Sequence, residues 1–130
     1  MKIPKQIIDE LISHAIAEAP LEACGYLAGK DGTITKAYKM TNTDQSNIHF
    51  SFAPEEQFRV VKAARKEGTD LIAVYHSHPE TPARPSKEDI RLAHDPCVSY
   101  VIVSLAEGNN VIKSFKINGE TVAVEPIEII

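Results

Sequence analysis

The chain has 130 residues, 43% of them hydrophobic and 25% charged, which fits a single soluble domain spanning residues 1–130. Its formal net charge of −4 argues against nucleic-acid binding, which needs a dense stripe of lysine and arginine. An apolar run of the ~20 residues that a membrane span needs is absent, there is no signal-peptide core, and two cysteines are too few for a disulfide scaffold, so we expect a cytoplasmic protein with reduced thiols.

The first forty residues predict a helix followed by a β-hairpin. Pro4 suits the first turn of the helix, where the N–H that proline lacks would have no partner. Apolar residues at helical spacing define one face of this helix: Ile7, Ile8, Leu11, Ile12, Ala15 and Ile16. Two strands are predicted at 23–29 and 33–40, and Asp31-Gly32 between them is typical of a hairpin turn.

The middle of the chain alternates between strand and helix patterns. Alternating apolar residues predict a short strand at 48–52. Pro54 opens a second helix, which Gly68 can close at its C-terminal end. Residues 71–75 form an apolar run that is typical of a central strand buried on both faces.

The last third of the chain predicts a short helix and three strands. The helix is expected at 86–95 and the strands at 98–105, 111–117 and about 121–124. Asn118-Gly119 supplies the turn between the last two strands. The whole order of elements predicts an α/β fold in which helices cover one mixed β-sheet.

The apolar central strand ends in two histidines, His76 and His78, and a proline-rich loop follows. Residues i and i+2 of a strand project to the same face, so both imidazoles can meet one ion. Prolines stiffen the loop, which lowers the entropy lost when it holds Asp89 as a third ligand. Two neutral histidines and a carboxylate with an open fourth position form a catalytic zinc set. The alternative is a helix cap, because Ser86 and Asp89 also form a capping-box pattern.

The spacing of these residues resembles the JAMM motif of the MPN-plus zinc metalloproteases. That motif runs His-x-His-Pro, six residues, serine, two residues, aspartate, and residues 76–89 match it. The family also needs an upstream glutamate, and PLEACGYLAG supplies Glu22 in a Glu-x-Cys-Gly setting. The resemblance covers nearly the whole chain and is closest to small prokaryotic members. It implies the JAMM/MPN fold, a cytidine-deaminase-like mixed β-sheet flanked by helices.

The resemblance also implies a role for each motif residue. His76, His78 and Asp89 would bind one Zn²⁺ per chain, with a water at the fourth position. Glu22 would be the general base that passes the proton of this water to the leaving amine. Ser86 would hydrogen-bond the oxygen that becomes negative. The implied partner is a ubiquitin-like protein, either a sulfur carrier or a small modifier, cleaved after its C-terminal Gly-Gly.

Three alternative functions remain open beside this one. A zinc deaminase needs a His-x-Glu and a Pro-Cys-x-x-Cys sequence, and Pro96-Cys97 is followed by Val, Ser and Tyr. A zinc-free MPN scaffold would act as a binding module, although such relatives usually lack several motif residues. A broad zinc peptidase would share the chemistry without a preference for Gly-Gly.

The other histidines and both cysteines are predicted to lie outside the chemistry. His14 is expected on the surface, off the apolar face of the first helix. His49 has no acid partner at ligand spacing, and His94 falls on a different side of its helix from Asp89. Cys24 and Cys97 are expected to be small buried core residues. The glycines at positions 25 and 29 are expected to allow close packing and a turn.

Overall fold

The computed structural model describes the backbone of residues 1–130 and every side chain except that of Glu107. This description contains three α-helices, eight strands and one 3₁₀ turn at Ala106–Gly108. The helices are α1 (Lys5–Glu18), α2 (Pro54–Lys66) and α3 (Lys87–Leu92). The strands are β1 (Lys2–Ile3), β2 (Cys24–Lys30), β3 (Thr33–Met40), β4 (Asp70–His78), β5 (Ser99–Ser104), β6 (Val111–Asn118), β7 (Thr121–Glu125) and β8 (Glu128–Ile129).

The eight strands form one mixed sheet in the order β7-β6-β5-β4-β2-β3-β1-β8. The central strand β4 runs antiparallel to β2 and parallel to β5. Only residues 126 and 127 separate β7 from β8, yet these strands lie at opposite ends of the order. Three residue steps reach at most ~11 Å, whereas eight strands laid flat would span roughly 33 Å. The sheet therefore curls until its two ends approach each other.

The two faces of the curled sheet bury different sets of side chains. α1 packs on one face and shares the larger core with the strands, and this core consists of Ile3, Ile7, Ile8, Leu11, Ala15, Leu27, Ile34, Ala73, Tyr75, Val101 and Val103. Successive strand residues face opposite ways, so Ile102 belongs instead to a smaller cluster with Ala83, Phe115 and Ile117. α3 covers this second cluster through Ile90. His76 lies on the same face as Ile102, so this second face carries the candidate site.

Close contacts around β2 explain two of its glycines. A Cβ on Gly25 would collide with the carbonyl oxygen of Tyr38 and with the ring of Tyr75. A Cβ on Gly29 would collide with the backbone of Thr33. Both observations confirm the prediction that these glycines serve close packing.

Most predicted elements are confirmed, and the exceptions have identifiable causes. Residues 48–52 form no strand in the described chain. Phe50 and Phe52 are apolar because they pack against aromatic side chains on the sheet, not because they belong to a strand. Ile48, the third residue of the alternating pattern, is 66% exposed. The third helix ends at Leu92, earlier than predicted. β1 and β8 have two residues each, too few to produce a periodic pattern.

Two predictions about burial are wrong. His14 is 7% exposed, and its Nδ1 lies 2.8 Å from the hydroxyl oxygen of Tyr75. Position 14 follows Ile7 by two helical turns, so it shares the apolar face after all. Cys97 is exposed, whereas Cys24 is buried as predicted, and both are free thiols. Burial raises the pKa of the Cys24 thiol to about 12, which makes it unreactive.

None of the described helices has both the length and the hydrophobicity that crossing a bilayer demands. The longest of those described, α1, has 14 residues.

The buried His14 gives the fold a pH-dependent contribution to stability. Burial lowers the pKa of His14 below its ordinary value of 6.5, while the Glu18 carboxylate partly raises this pKa and Lys39 lowers it. As the pH falls, the unfolded chain therefore binds a proton on this residue before the folded chain does. The contribution is complete above pH ~6.5 and is lost as the pH falls through the pKa of the folded state.

We expect His14→Gln to remove this pH dependence. At pH ~8 the wild type should exceed the variant by about 1 kcal/mol in free energy of unfolding, because the buried Tyr75 hydroxyl loses its best partner. At pH ~5 the difference should shrink, since the wild type then loses its histidine contribution. Denaturant unfolding of both metal-free proteins measures the difference, with the exposed His94→Gln as control. A difference that is equal at both pH values would contradict this account.

Candidate metal centre

The C-terminal end of β4 carries His76 and His78 on the same face of the sheet, as the strand alternation predicts. His76 pairs with Cys24 of β2 on one side and with β5 on the other, so ladders on both sides hold it. Both imidazoles are buried. Ser77 points the opposite way, and its hydroxyl accepts a hydrogen bond of 2.7 Å from the N–H of Ala23. This bond ties the start of β2 to the end of β4.

The loop after β4 brings α3 back to the two histidines. Ser86 is the N-cap of α3, and its hydroxyl oxygen accepts a hydrogen bond of 3.0 Å from the N–H of Asp89. The Asp89 carboxylate in turn accepts a 2.9 Å bond from the N–H of Ser86. The predicted capping box is therefore present. It also fixes the Asp89 carboxylate so that its Oδ2 faces both imidazoles.

Three potential ligand atoms converge at this point. His76 Nε2 lies 3.1 Å from His78 Nε2 and 3.2 Å from Asp89 Oδ2. His78 Nε2 lies 3.0 Å from the same Oδ2. Around a tetrahedral ion that histidine binds at ~2.0–2.1 Å, ligand atoms stand roughly 3.3 Å apart. The spacing and the donor atoms of this group therefore fit a metal site, and among the described residues it is the group that could hold an ion.

The ionised carboxylate of Asp89 and the lone pair of neutral His78 also favour a cation at this point. Burial opposes the charged form of Asp89, but hydrogen bonds from the two histidines hold its pKa well below the ordinary range. Burial lowers the pKa of His78, but its contacts with Asp89 and the Pro82 carbonyl raise this pKa overall. His78 Nδ1 lies 2.9 Å from that carbonyl oxygen, which can only accept, so Nδ1 carries the hydrogen. In neutral His78, Nε2 therefore directs its lone pair into the cluster.

The ring of His76 is held by stacking. Its Nδ1 is buried and has no hydrogen-bond partner among the described residues. Phe50 lies against the ring, with centroids 4.9 Å apart and an angle of 28° between the planes. The loop that follows β3 therefore orients one of the two histidines, while the loop that follows β4 orients the other.

Glu22 lies immediately before β2 and is 2% exposed. Burial raises the pKa of its carboxyl to about 8, with the nearby His78 lowering it in part and Asp89 raising it. Its Oε1 has no hydrogen-bond partner among the described side chains and backbone groups. A buried carboxyl oxygen without a partner is costly. The structure thus places an unpaired acid–base group within the electrostatic influence of the cluster.

Ser86 is exposed, unlike the three clustered residues. Its hydroxyl oxygen accepts the bond from Asp89, so the hydroxyl hydrogen remains available to donate to a ligand.

A cavity of about 470 Å³ opens beside the cluster. His76 and Asp89 line one end, and the rest is mainly apolar and aromatic, including Tyr26, Phe50, Phe52, Leu92, Tyr100 and Ile117. Sequence reasoning did not identify this wall, because its residues come from separate parts of the chain. The alternating apolar pattern at 48–52 is the one local signal, and it predicts a strand instead of a cavity wall.

His49 and His94 also line this cavity but do not join the cluster. The sequence predicts no acid partner for His49 at ligand spacing; its Nδ1 lies 2.9 Å from Asp44 Oδ2, outside the ligand group. Asp44 also accepts a 2.7 Å bond from the Ser51 hydroxyl. This small polar group stabilises the loop that carries Phe50.

The sequence is similar to one protein family and to several characterised proteins. Residues 4–118 match the family described as prokaryotic homologs of the JAB domain. The CysO-cysteine peptidase of Mycobacterium tuberculosis is 31% identical over 131 residues, covering 98% of this chain and 90% of that protein. The desampylase of Haloferax volcanii is 34% identical over 103 residues, covering 74% of each protein.

A solved structure extends the similarity to three dimensions. The solution structure of a protein from Desulfitobacterium hafniense superimposes with a TM-score of 0.90 and 44% sequence identity. The match covers 98% of this chain and 91% of that one. The two chains therefore share one fold over nearly their entire lengths.

Proposed function

The chain belongs to the family of prokaryotic homologs of the JAB domain, and from this premise we propose that it is a zinc-dependent peptidase. Its substrate would be a ubiquitin-like protein, cleaved after the C-terminal Gly-Gly. Family membership confirms the relationship that the motif at 76–89 predicts. The observation that carries the proposal is the convergence of two imidazoles and a carboxylate, two of which act electrostatically on the buried carboxyl of Glu22. Two relatives bear the names CysO-cysteine peptidase and desampylase, which agrees with such a reaction.

The residues proposed to hold the ion are His76, His78 and Asp89, a set that matches catalytic zinc sites in ligand type and number. When bound there, Zn²⁺ polarises the scissile carbonyl and lowers the pKa of water at the site to about 7. The Pro82 carbonyl fixes the hydrogen of His78 on Nδ1. The Ser86 N–H holds the Asp89 carboxylate in place. These outer contacts set the direction of the ligand atoms.

Glu22 is proposed as the general base and acid. Its unpaired Oε1 can accept a proton from the attacking water, and the same carboxyl can then donate a proton to the leaving amine. Burial raises its pKa to about 8, close to neutral pH, where a group can perform both steps. Glu22 is not one of the three clustered residues, so it can move protons without competing for the ion.

Ser86 is proposed to stabilise the oxygen on which negative charge develops. Its hydroxyl hydrogen is not used by the capping box, which needs only the oxygen. A donor already held in place by a helix cap requires little rearrangement during the reaction. The helix-cap interpretation of Ser86 and its proposed chemical role are therefore compatible.

A Gly-Gly tail suits a reacting centre that is as buried as this one. Glycine carries no side chain, so the tail can reach the cluster where bulkier residues would collide. Residues 48–52 form no strand that could pair with the tail, but the side chains of Phe50 and Phe52 line the cavity that would receive it. The folded body of the carrier would bind outside this wall and add affinity that a bare tail lacks.

We expect the native chain to contain one zinc ion and Asp89→Ala to lose most of it. Chelation should also lower thermal stability, because an ion present at ~1,000 times its Kd adds about 4 kcal/mol. Elemental analysis and thermal melting measure both effects. Asp95→Ala, an exposed acid beside the same cavity, is the matched control and should keep the ion. One tightly held zinc in Asp89→Ala would refute the ligand assignment, and a zinc-free native chain would favour a scaffold.

We expect Glu22→Gln to retain zinc and to lower turnover by roughly 10²–10⁴-fold, the usual contribution of a positioned acid–base group. Ser86→Ala should lower turnover by about 10²-fold. Ser86→Asp keeps a capping side chain but has no hydrogen to donate, so it separates the loss of the cap from the loss of the donor. Near-normal turnover in Glu22→Gln would remove Glu22 from the mechanism.

We expect cleavage directly after Gly-Gly in a ubiquitin-like carrier and little activity on unstructured peptides. Replacing the last glycine of the tail with valine should abolish cleavage, because the side chain would collide at the buried centre. Binding of the carrier should remain measurable by calorimetry with the Glu22→Gln enzyme. If generic peptides are cut as fast as any Gly-Gly carrier, the protein is a broad zinc peptidase instead.

A further inference from the structure

Asn42, the second residue after β3, is buried and uses both ends of its side-chain amide. The two amide hydrogens are donated mainly to the backbone carbonyls of Glu22 (3.1 Å) and His49 (3.0 Å), and the Ser46 carbonyl at 3.4 Å shares one of them. The amide oxygen accepts from the N–H groups of Asp44 (3.1 Å) and Ser51 (3.3 Å). Three acceptors on one side and two donors on the other leave a single orientation for the amide.

These bonds organise the segment 42–51, which otherwise has little regular structure. One backbone bond closes it, from the N–H of Thr43 to the carbonyl of Ser51 at 3.0 Å. Within this closed loop the Asn42 side chain occupies the centre and contacts backbone on both sides. The shape of the loop therefore depends on this buried amide together with the contacts of Asp44 with His49 and Ser51.

The same loop holds the backbone of Glu22 through both of its polar groups. The N–H of Glu22 donates to the Ser46 carbonyl at 2.8 Å, and its carbonyl accepts from Asn42. The Glu22 carboxyl has an oxygen with no partner among the described residues. Because no hydrogen bond to that oxygen orients the side chain, the placement of the carboxyl depends on the contacts that hold the Glu22 backbone.

We propose that Asn42 is a positioning residue for Glu22, which it serves by fixing the loop 42–51 against the Glu22 backbone. The kinetic part of this inference rests on the proposed function. The loop also carries Phe50, which stacks on His76, and it forms part of the cavity wall. One element thus connects the wall of the proposed substrate cavity with the proposed base.

Asn42→Asp and Asn42→Ser test this proposal. Aspartate keeps the shape and both acceptor bonds but has no N–H for the three carbonyls, while serine removes the amide without adding charge. For both variants we expect full zinc content and kcat lower by roughly 10- to 100-fold, with a smaller rise in KM because the loop also forms part of the cavity wall. Asn47→Asp changes an exposed residue of the same loop and should behave as wild type. A normal kcat in both Asn42 variants would overturn the proposal.

Combining these changes with Glu22→Gln distinguishes positioning from a general structural effect. If Asn42 acts through Glu22, Asn42→Ser should have little further effect on the residual turnover of Glu22→Gln. If Asn42→Ser lowers that residual turnover by the same factor as in the wild type, Asn42 acts independently of Glu22 and the proposal is wrong.

Amide hydrogen exchange of the zinc-loaded protein gives a measurement that needs no substrate. The Glu22 amide should exchange at least ~10-fold faster in both Asn42 variants than in Asn47→Asp, because its acceptor belongs to the loosened loop. Amides in the centre of β4 should be unchanged, which shows that the fold is intact. Unchanged exchange at Glu22 would overturn the proposal even if the substrate were wrongly identified. A wrong substrate would instead appear as absent cleavage by the wild type with the exchange difference intact.

Discussion

One carboxylate oxygen, Asp89 Oδ2, joins the start of α3 to the end of β4. It accepts a hydrogen bond from the Ser86 N–H and lies 3.0 and 3.2 Å from the two imidazole nitrogens. The side chains of this group are at most 9% exposed. Lone pairs brought this close away from water repel one another unless a cation or shared protons lie between them. The local fold therefore favours positive charge at the point between these three atoms.

The surrounding structure holds the three ligand side chains rigidly from several directions. Sheet ladders on both sides hold β4, the capping box holds Asp89, and the Pro82 carbonyl and the Phe50 ring hold one histidine each. Glu22, by contrast, is held by its backbone and leaves a carboxyl oxygen unpaired. This contrast matches the chemistry proposed for them, because ligands must stay fixed while an acid–base group must exchange protons.

Local patterns in the sequence identified the three residues of the cluster, and the resemblance to the JAMM motif favoured a metal site over a helix cap alone. Strand alternation places His76 and His78 on one face, and the Ser86–Asp89 spacing specifies the start of a helix, so neither inference needed tertiary information. The burial of His14 was also predictable, since this residue is seven positions after Ile7 and lies on the same face of the helix. The prediction of an exposed residue gave more weight to the polarity of histidine than to this position. The contact between Asn42 and Glu22 was not predictable, because the two residues are 20 positions apart in the sequence. The alternation at 48–52 was misleading, because Phe50 and Phe52 face inward through aromatic contacts instead of strand pairing.

X-ray absorption at the zinc edge of the native protein tests the central claim most directly, because it reports the atoms around the ion. We expect the zinc to be surrounded by nitrogen and oxygen only, at ~2.0–2.1 Å, with the outer scattering of two imidazoles. Asp89→Ala should lose this spectrum together with its metal. A sulfur neighbour at ~2.3 Å, or a spectrum without imidazole scattering, would contradict the claim that His76, His78 and Asp89 form the metal site.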